Sequence, residues 1–315
     1  MGKDDKKRNR IRFIFLKERL MFTSNYYNNR SSNQLISYKL PAISGFSTIV
    51  RNLDALIENQ GWEFSLNTIN IKNSILKWES TLNFTIPNNR LLSFPNLSNS
   101  SYNYSFVEGE SLNVIYGYKY LGVNSTTGLY EVEDKNSDKL YDINDYEVLG
   151  NLDPKFYGGF SNTISYKRLS VNVLFSFRKQ TGKNYLSNLY NNLGTLNNVP
   201  AIVLGKFWEH EGDFKELQRP SQTTFGSIQT AYSNFLTNSD GVYSDASFIR
   251  LKNVVLNYDL SFKQLERVGI SKARLYMQGE NLLTLTGYEL GDPEIQNWLR
   301  TPPLRTFTFG INLTF

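Results

Sequence analysis

The feature that most constrains this chain is a strict two-residue alternation close to its C-terminus. From position 307 the odd residues read Phe307, Phe309, Ile311, Leu313 and Phe315, while the even ones read Thr308, Gly310, Asn312 and Thr314. Period two places every apolar side chain on one face of a β-strand, whereas a helix would scatter them around its axis. A half-buried strand of a soluble sheet alternates in the same way. Here, however, the pattern runs on to an aromatic residue at the last position.

The same alternation recurs upstream. Residues 169–177 set Leu169, Val171, Val173, Phe175 and Phe177 against Ser170, Asn172 and Ser176, with Leu174 as the one exception. Residues 76–86, 62–68, 156–166, 20–26 and 273–277 show it too. In 247–260 the parity changes midway, since Ile249 and Leu251 share one face while Val254, Leu256 and Tyr258 fall in the opposite register. One extra residue near Asn253, a β-bulge, restores the pattern. These segments predict eight strands, with residues 10–15 as a short ninth.

Composition narrows the class. Aromatics make up 14% of the 315 residues, against 20% charged, which excludes a disordered chain or a coiled coil and favours sheet. No stretch approaches 18 apolar residues, so no transmembrane helix is expected. A transmembrane barrel is compatible with a mean hydropathy of −0.40, because its strands alternate. The net charge of +5 is concentrated in the first 20 residues, which hold eight basic and three acidic groups. Residues 1–19 therefore read as a basic stub on a neutral body, and no nucleic-acid partner is expected.

The connections alternate in length. Short links are expected at 70–74, 167–168 and 261–271, the last with a partial helical turn around Leu265 and Val268. Long loops are expected at about 29–60, 87–154, 179–245 and 283–303, all at the same end of the sheet. An apparent strand within 112–123 would break that parity and is placed inside a loop. Short turns at one end and long loops at the other are the organisation of an outer-membrane barrel.

Catalytic and metal chemistry find little footing. The chain has no cysteine and one histidine. His210 opens the string HEGDF, but Phe214 stands where a zinc-protease helix needs its second histidine, so a loop residue is expected. Gly158 and Gly159 have no phosphate-loop lysine after them. Asp134, Asn136, Asp138, Asp142 and Asp145 lack the glycine that a calcium loop needs at its sixth position, and read as a solvated loop. No cofactor, metal site or enzymatic activity is expected.

Several segments carry a resemblance. Residues 244–260 (SDASFIRLKNVVLNYDL), 270–284 (ISKARLYMQGENLLT), 291–294 (GDPE) and 302–315 (PPLRTFTFGINLTF) closely resemble the C-terminal end of SusC/RagA-type TonB-dependent outer-membrane transporters. Residues 40–46 (LPAISGF), 59–66 (NQGWEFSL), 117–123 (GYKYLGV) and 153–162 (DPKFYGGFSN) match further landmarks of that family in its order. The resemblance runs from about residue 20 to 315.

It implies an all-β fold, an antiparallel transmembrane β-barrel segment of eight or nine strands from the C-terminal part of a 22-stranded barrel. It also implies a Gram-negative outer membrane and import of glycans or peptides. The partners it implies are a SusD-like surface lipoprotein, the barrel-assembly machinery, membrane lipid, and the TonB system through an N-terminal region that this sequence does not contain. With no export signal, plug or TonB box in the sequence, transport by this polypeptide alone is not expected. Residues 20–315 are the expected barrel part. Lys77, Glu79, Arg178, Arg250 and Lys252 are its candidate lumen-facing residues, and Phe307, Phe309, Ile311, Leu313 and Phe315 are the expected lipid-facing last strand and assembly signal. A complete eight-stranded barrel and a soluble glycan-binding sandwich are the alternatives.

Overall fold

Nine long strands form one antiparallel sheet in the computed structural model of the chain, which describes residues 2–39, 43, 45, 48–189, 194, 198–223, 225–260 and 269–315. In chain order the strands are β1 (Lys3–Phe15), β2 (Leu20–Lys39), β3 (Thr48–Lys72) and β4 (Leu76–Ser93), then the short β5 (Val114–Gly117), β6 (Tyr120–Val123), β7 (Tyr130–Val132) and β8 (Glu147–Asn151). After these come β9 (Phe156–Tyr166), β10 (Leu169–Lys179), the short β11 (Thr181–Lys183) and β12 (Tyr243–Asp245), and finally β13 (Phe248–Leu260), β14 (Lys272–Thr286) and β15 (Thr306–Thr314). The large sheet runs β1-β2-β3-β4-β9-β10-β13-β14-β15, and the six short strands pair among themselves outside it. Each long strand thus lies beside its sequence neighbour, with loop excursions between β4 and β9, between β10 and β13, and between β14 and β15.

The alternation in the sequence becomes rows across the sheet. Residues opposite one another in the ladders share a face. One row reads Leu283, Leu251, Phe175, Phe160, Leu82, Leu66, Phe22 and Phe13 from β14 to β1. A second reads Phe309, Met277, Leu256, Val171, Ile164 and Trp78 from β15 to β4. The opposite face carries Asn83, Gly159, Ser176, Arg250 and Thr284 in one such row. The expected bulge is present: β10 pairs Leu174 with Asn253 and Phe175 with Leu251, so Lys252 is the extra residue and the two halves of β13 keep their apolar side chains on one face.

Three expectations are corrected. The short ninth strand expected at 10–15 within the basic residues 1–19 is longer, because β1 pairs with β2 from Lys3 against Ser32 to Phe15 against Leu20. The long loop expected at 29–60 is mostly strand, since β2 continues to Lys39 and β3 begins at Thr48, leaving eight residues between them. β4 likewise continues to Ser93, past Pro87. The missing N–H of proline is tolerated there because the β9 ladder ends at Thr85, so β4 is an edge on that side. The helical turn expected around Leu265 and Val268 falls on residues outside those described.

Apolar burial is concentrated away from the sheet's apolar face. One cluster gathers Tyr130, Tyr185, Val203, Leu217, Tyr232, Leu236 and Val242, all from the excursions after β4 and β10. A smaller one packs Phe94 and Leu91 with Ala55 where β3 and β4 leave the belt. By contrast Phe309, in the middle of β15, is 69% exposed. Water-facing loops with their own core, above a sheet whose apolar face is bare, are the reverse of a soluble sandwich.

Candidate functional site

The belt has a height. On β9 the apolar face begins at Phe156 and ends at Tyr166, ten residues apart. At about 3.3 Å per residue and a barrel tilt of about 40°, that spans about 25 Å, the apolar height of an outer-membrane barrel. Aromatic residues mark both margins. Tyr166, Tyr258 and Trp78 stand near the short-turn end, and Trp62, Tyr26 and Phe156 at the loop end. Gly158 lets the loop-end margin close, because a Cβ there would meet the Asn83 carbonyl and the Phe177 ring. The rings of Phe84, Phe156 and Phe177 gather around it, Phe84 lying 5.3 Å from Phe156 and 6.1 Å from Phe177.

The sequence-assigned residues divide between the two faces. Phe307, Phe309, Ile311 and Leu313 point to the apolar side of β15, and Phe315 follows the strand, 83% exposed. Lys77, Glu79, Arg178 and Arg250 fall in rows of the opposite, polar face, beside Ser165, Thr163, Tyr157 and Ser176. Lys77 Nζ pairs with Glu79 Oε1 at 2.8 Å. Arg178 lies over the Tyr157 ring, 5.7 Å from its centroid. Lys252 is the bulge residue and takes no ladder partner.

Arg250 is not an open wall residue. It is 1% exposed, and its guanidinium donates from Nη2 to Asp292 Oδ2 at 2.5 Å, from Nη1 to Glu294 Oε2 at 2.9 Å and from Nε to Thr284 Oγ1 at 3.1 Å. The Phe248 ring covers it at 5.3 Å. Asp292 and Glu294 belong to the GDPE string, so the excursion between β14 and β15 folds back over the polar face and is pinned there. Gln180 completes the fastening by donating from Nε2 to the carbonyls of Pro293 and Ala246. The sequence singled out GDPE as a landmark and Arg250 as a wall residue, but no spacing rule joins positions 42 residues apart.

The loop lobe is built by close backbone approach. Gly117 sits so near the Asn238 carbonyl that any Cβ would collide with it, and the Tyr118 N–H donates to that carbonyl at 2.9 Å. Next to it Lys119 Nζ donates to Asp240 Oδ2 at 2.6 Å, and the Tyr120 N–H donates to Oδ1. The GYKYLGV stretch thus ties the two long excursions together. Burial pushes the Tyr118 hydroxyl up to about 12, with the Tyr146 and Asp145 charges adding to it. A cleft of about 530 Å³ opens in this lobe, lined by Tyr120, Tyr185, Tyr288, Glu216 and Asp245.

The acidic loop bonds largely to its own backbone. Asp145 accepts the N–H groups of Lys135 and Asp142, Asp134 accepts that of Lys139, and Asp138 accepts that of Leu140. These bonds take up one oxygen of Asp134, while Asp134 Oδ1 is buried without a hydrogen-bond partner among the described residues. Among the described residues no group of three or more His, Asp or Glu could hold a metal ion. His210 lies exposed in a turn, its N–H donating to Asp213 Oδ2.

An apolar belt about 25 Å high, a polar reverse face, short turns at one end and a folded loop lobe at the other define a wall segment of a large antiparallel transmembrane β-barrel. The chain is similar in sequence to TonB-dependent receptors: 29% identical over 94% of its length to receptor P3 of Formosa agariphila, and 23% over 96% to SusC of Bacteroides thetaiotaomicron. It spans about a third of the length of these curated relatives, 32% and 31% respectively. Its fold matches that of the RagAB peptide transporter structure with a TM-score of 0.79 at 22% identity, covering 100% of this chain and 35% of that one. A scan against protein-family models finds no match. In sequence and fold together, the chain is similar to the barrel portion of SusC/RagA-type TonB-dependent receptors.

Proposed function

We propose that this chain forms the C-terminal part of an outer-membrane import barrel of the SusC type, serving uptake of oligomeric nutrients, glycans or peptides, together with a SusD-like surface lipoprotein. The observation that carries this reading is the apolar belt, in register from β1 to β15 and backed by a face of Ser, Thr, Asn and ion-paired residues. One row of polar residues interrupts the belt at Thr68, Ser80 and Asn162, where Asn162 Oδ1 accepts from Ser80 Oγ and Trp78 Nε1. Such a wall needs lipid on one side and water on the other. The loop lobe, on the side of the long connections, is the surface that a lid lipoprotein and arriving cargo would meet. Lys77, Glu79 and Arg178 line the aqueous side in this reading, and Phe307 to Leu313 face lipid. The open order of the sheet, in which β1 and β15 do not pair, favours part of a larger barrel over a complete small one.

Single-tryptophan variants of the chain in vesicles test this directly. Trp78 sits in the belt, whereas Trp208 donates from Nε1 to the Ser125 carbonyl in the loop lobe. Bromine on the lipid acyl chains should quench Trp78 and leave Trp208 bright. Equal quenching of the two, or none, overturns the reading in favour of a soluble sheet.

A further inference from the structure

The alternation of β1 carries more than strand geometry. Ile11, Phe13 and Phe15 fall on the belt face, so Lys6, Arg8, Arg10 and Arg12 form a column of four cations on the polar face. Arg10 stands opposite Asn25 and Arg12 opposite Thr23, alternating along β1 with Ile11 and Phe13, and therefore within the height of the belt. A guanidinium at that depth is tolerated only on a wet face, and cations placed there mark routes for ions or cargo.

Little in the surroundings neutralises this column. From β2 the facing residues are Thr23, Asn25, Tyr27 and Asn29, all neutral, and from β3 they are Ser65 and Glu63. Glu63 Oε2 pairs with Arg8 Nη2 at 2.9 Å. Asp4, at the top of the column, accepts from Ser31 Oγ and Gln34 Nε2 instead. Among the described residues Lys6, Arg10 and Arg12 make no ion pair. A cleft of about 340 Å³ opens beside Lys6 and Arg8.

We propose that this column is a binding stripe for the carboxylates of an extended acidic peptide, an assignment that rests on the channel-wall reading above. Side chains two residues apart on a strand repeat every 6.6 to 6.8 Å or so, and an extended peptide offers its own alternate side chains at the same repeat. Each guanidinium fork can take one carboxylate through two parallel hydrogen bonds. A saccharide chain presents its carboxylates on the repeat of its sugar rings, which does not match the strand.

The test uses the full chain in uncharged phosphatidylcholine vesicles, with labelled hexaglutamate followed by fluorescence anisotropy. Arg10→Gln with Arg12→Gln should weaken binding at least tenfold. Lys3→Gln with Lys7→Gln removes the same net charge from the opposite face and should change it less than twofold. Equal weakening by the two pairs, hexalysine binding as well as hexaglutamate, or hexagalacturonate binding more tightly overturns the stripe. Trp78 quenching in the same vesicles reports insertion separately: if it is lost, the wall reading itself fails, and if it persists without peptide preference, only the stripe does.

Discussion

Arg250 Nη2 and Asp292 Oδ2 meet at 2.5 Å across a separation of 42 residues, and this contact fastens the excursion between β14 and β15 to the polar face of the sheet. With Glu294 as second partner, the guanidinium has two carboxylates and a hydroxyl in place of water. Removing it leaves Asp292, whose side chain is 10% exposed, as an uncompensated charge. Arg250→Gln should therefore cost about 3 kcal/mol of local stability. Hydrogen exchange over residues 287–305 should rise, while the β9–β10 amides keep their protection.

The belt predicts a depth gradient for inserted charge. Phe160 and Leu82 lie in the central row, Phe309 lies four residues further toward the short-turn margin, in the row of Ile164, and Ile311 stands in the marginal row with Tyr258. Phe160→Arg should destabilise the inserted sheet by about 2 to 4 kcal/mol, Phe309→Arg by less, and Ile311→Arg by about 1 kcal/mol or under. Ser161→Arg, Thr308→Arg and Asn312→Arg point to the wet face and should cost little. Urea titration in vesicles reads the order. Ser161→Arg as damaging as Phe160→Arg would reverse the assignment of faces.

Gly117 is the tightest point of the loop lobe. Gly117→Ala places a methyl group against the Asn238 carbonyl and should destabilise the junction by about 1 to 3 kcal/mol, in the range of overpacking. Exchange of the Tyr118 and Tyr120 amides should accelerate together, because both donate to the 238–240 segment. Trp78 quenching should be unchanged.

Asp245 supplies a pH test. Its carboxyl accepts from Lys179 Nζ at 2.6 Å and from the Ser247 N–H at 2.9 Å, and the Lys179 contact, then Ser247, hold it down at about 2. A depressed carboxylate contributes stability in full above its unfolded value of about 4 and loses it as pH falls through the folded value. The junction around β11 and β12 should thus be unchanged from pH 7 to about 4 and loosen from there toward pH 2. Because the side chain is 60% exposed, solvent screens the contribution and it should be small. Carbon-13 titration of the Asp245 carboxyl checks both direction and range.

The belt was legible in the sequence because every strand segment inside it must alternate. Residues 169–177 and the parity fault beside Lys252 could be read residue by residue for that reason. Strand extensions above the belt have water on both faces, so Asn28, Asn29, Arg30, Ser31 and Ser32 in β2 show no apolar period and read as loop. β1 was shortened for the same reason: Lys3 to Arg8 carry charges on both faces, and only Ile11, Phe13 and Phe15 lie in the belt. The Arg250 cluster was half visible, as a basic residue and an acidic string with nothing local to connect them. Lys252 came out as the bulge itself, a role that the parity fault signalled one residue away, near Asn253.

The two outer strands of the sheet are unequal. Neither β1 nor β15 has a second ladder partner among the described residues, and lipid can offer their outward N–H and C=O groups none. Thr306–Thr314 carries no charge, whereas Lys3–Phe15 holds six basic and two acidic residues. Two copies meeting through β1 would bring cation against cation, an arrangement that cross-strand repulsion disfavours. The first strand is therefore self-avoiding while the last is permissive, so the sheet has a built-in polarity: it can be extended by a strand unlike β1, but not by doubling upon itself at that edge.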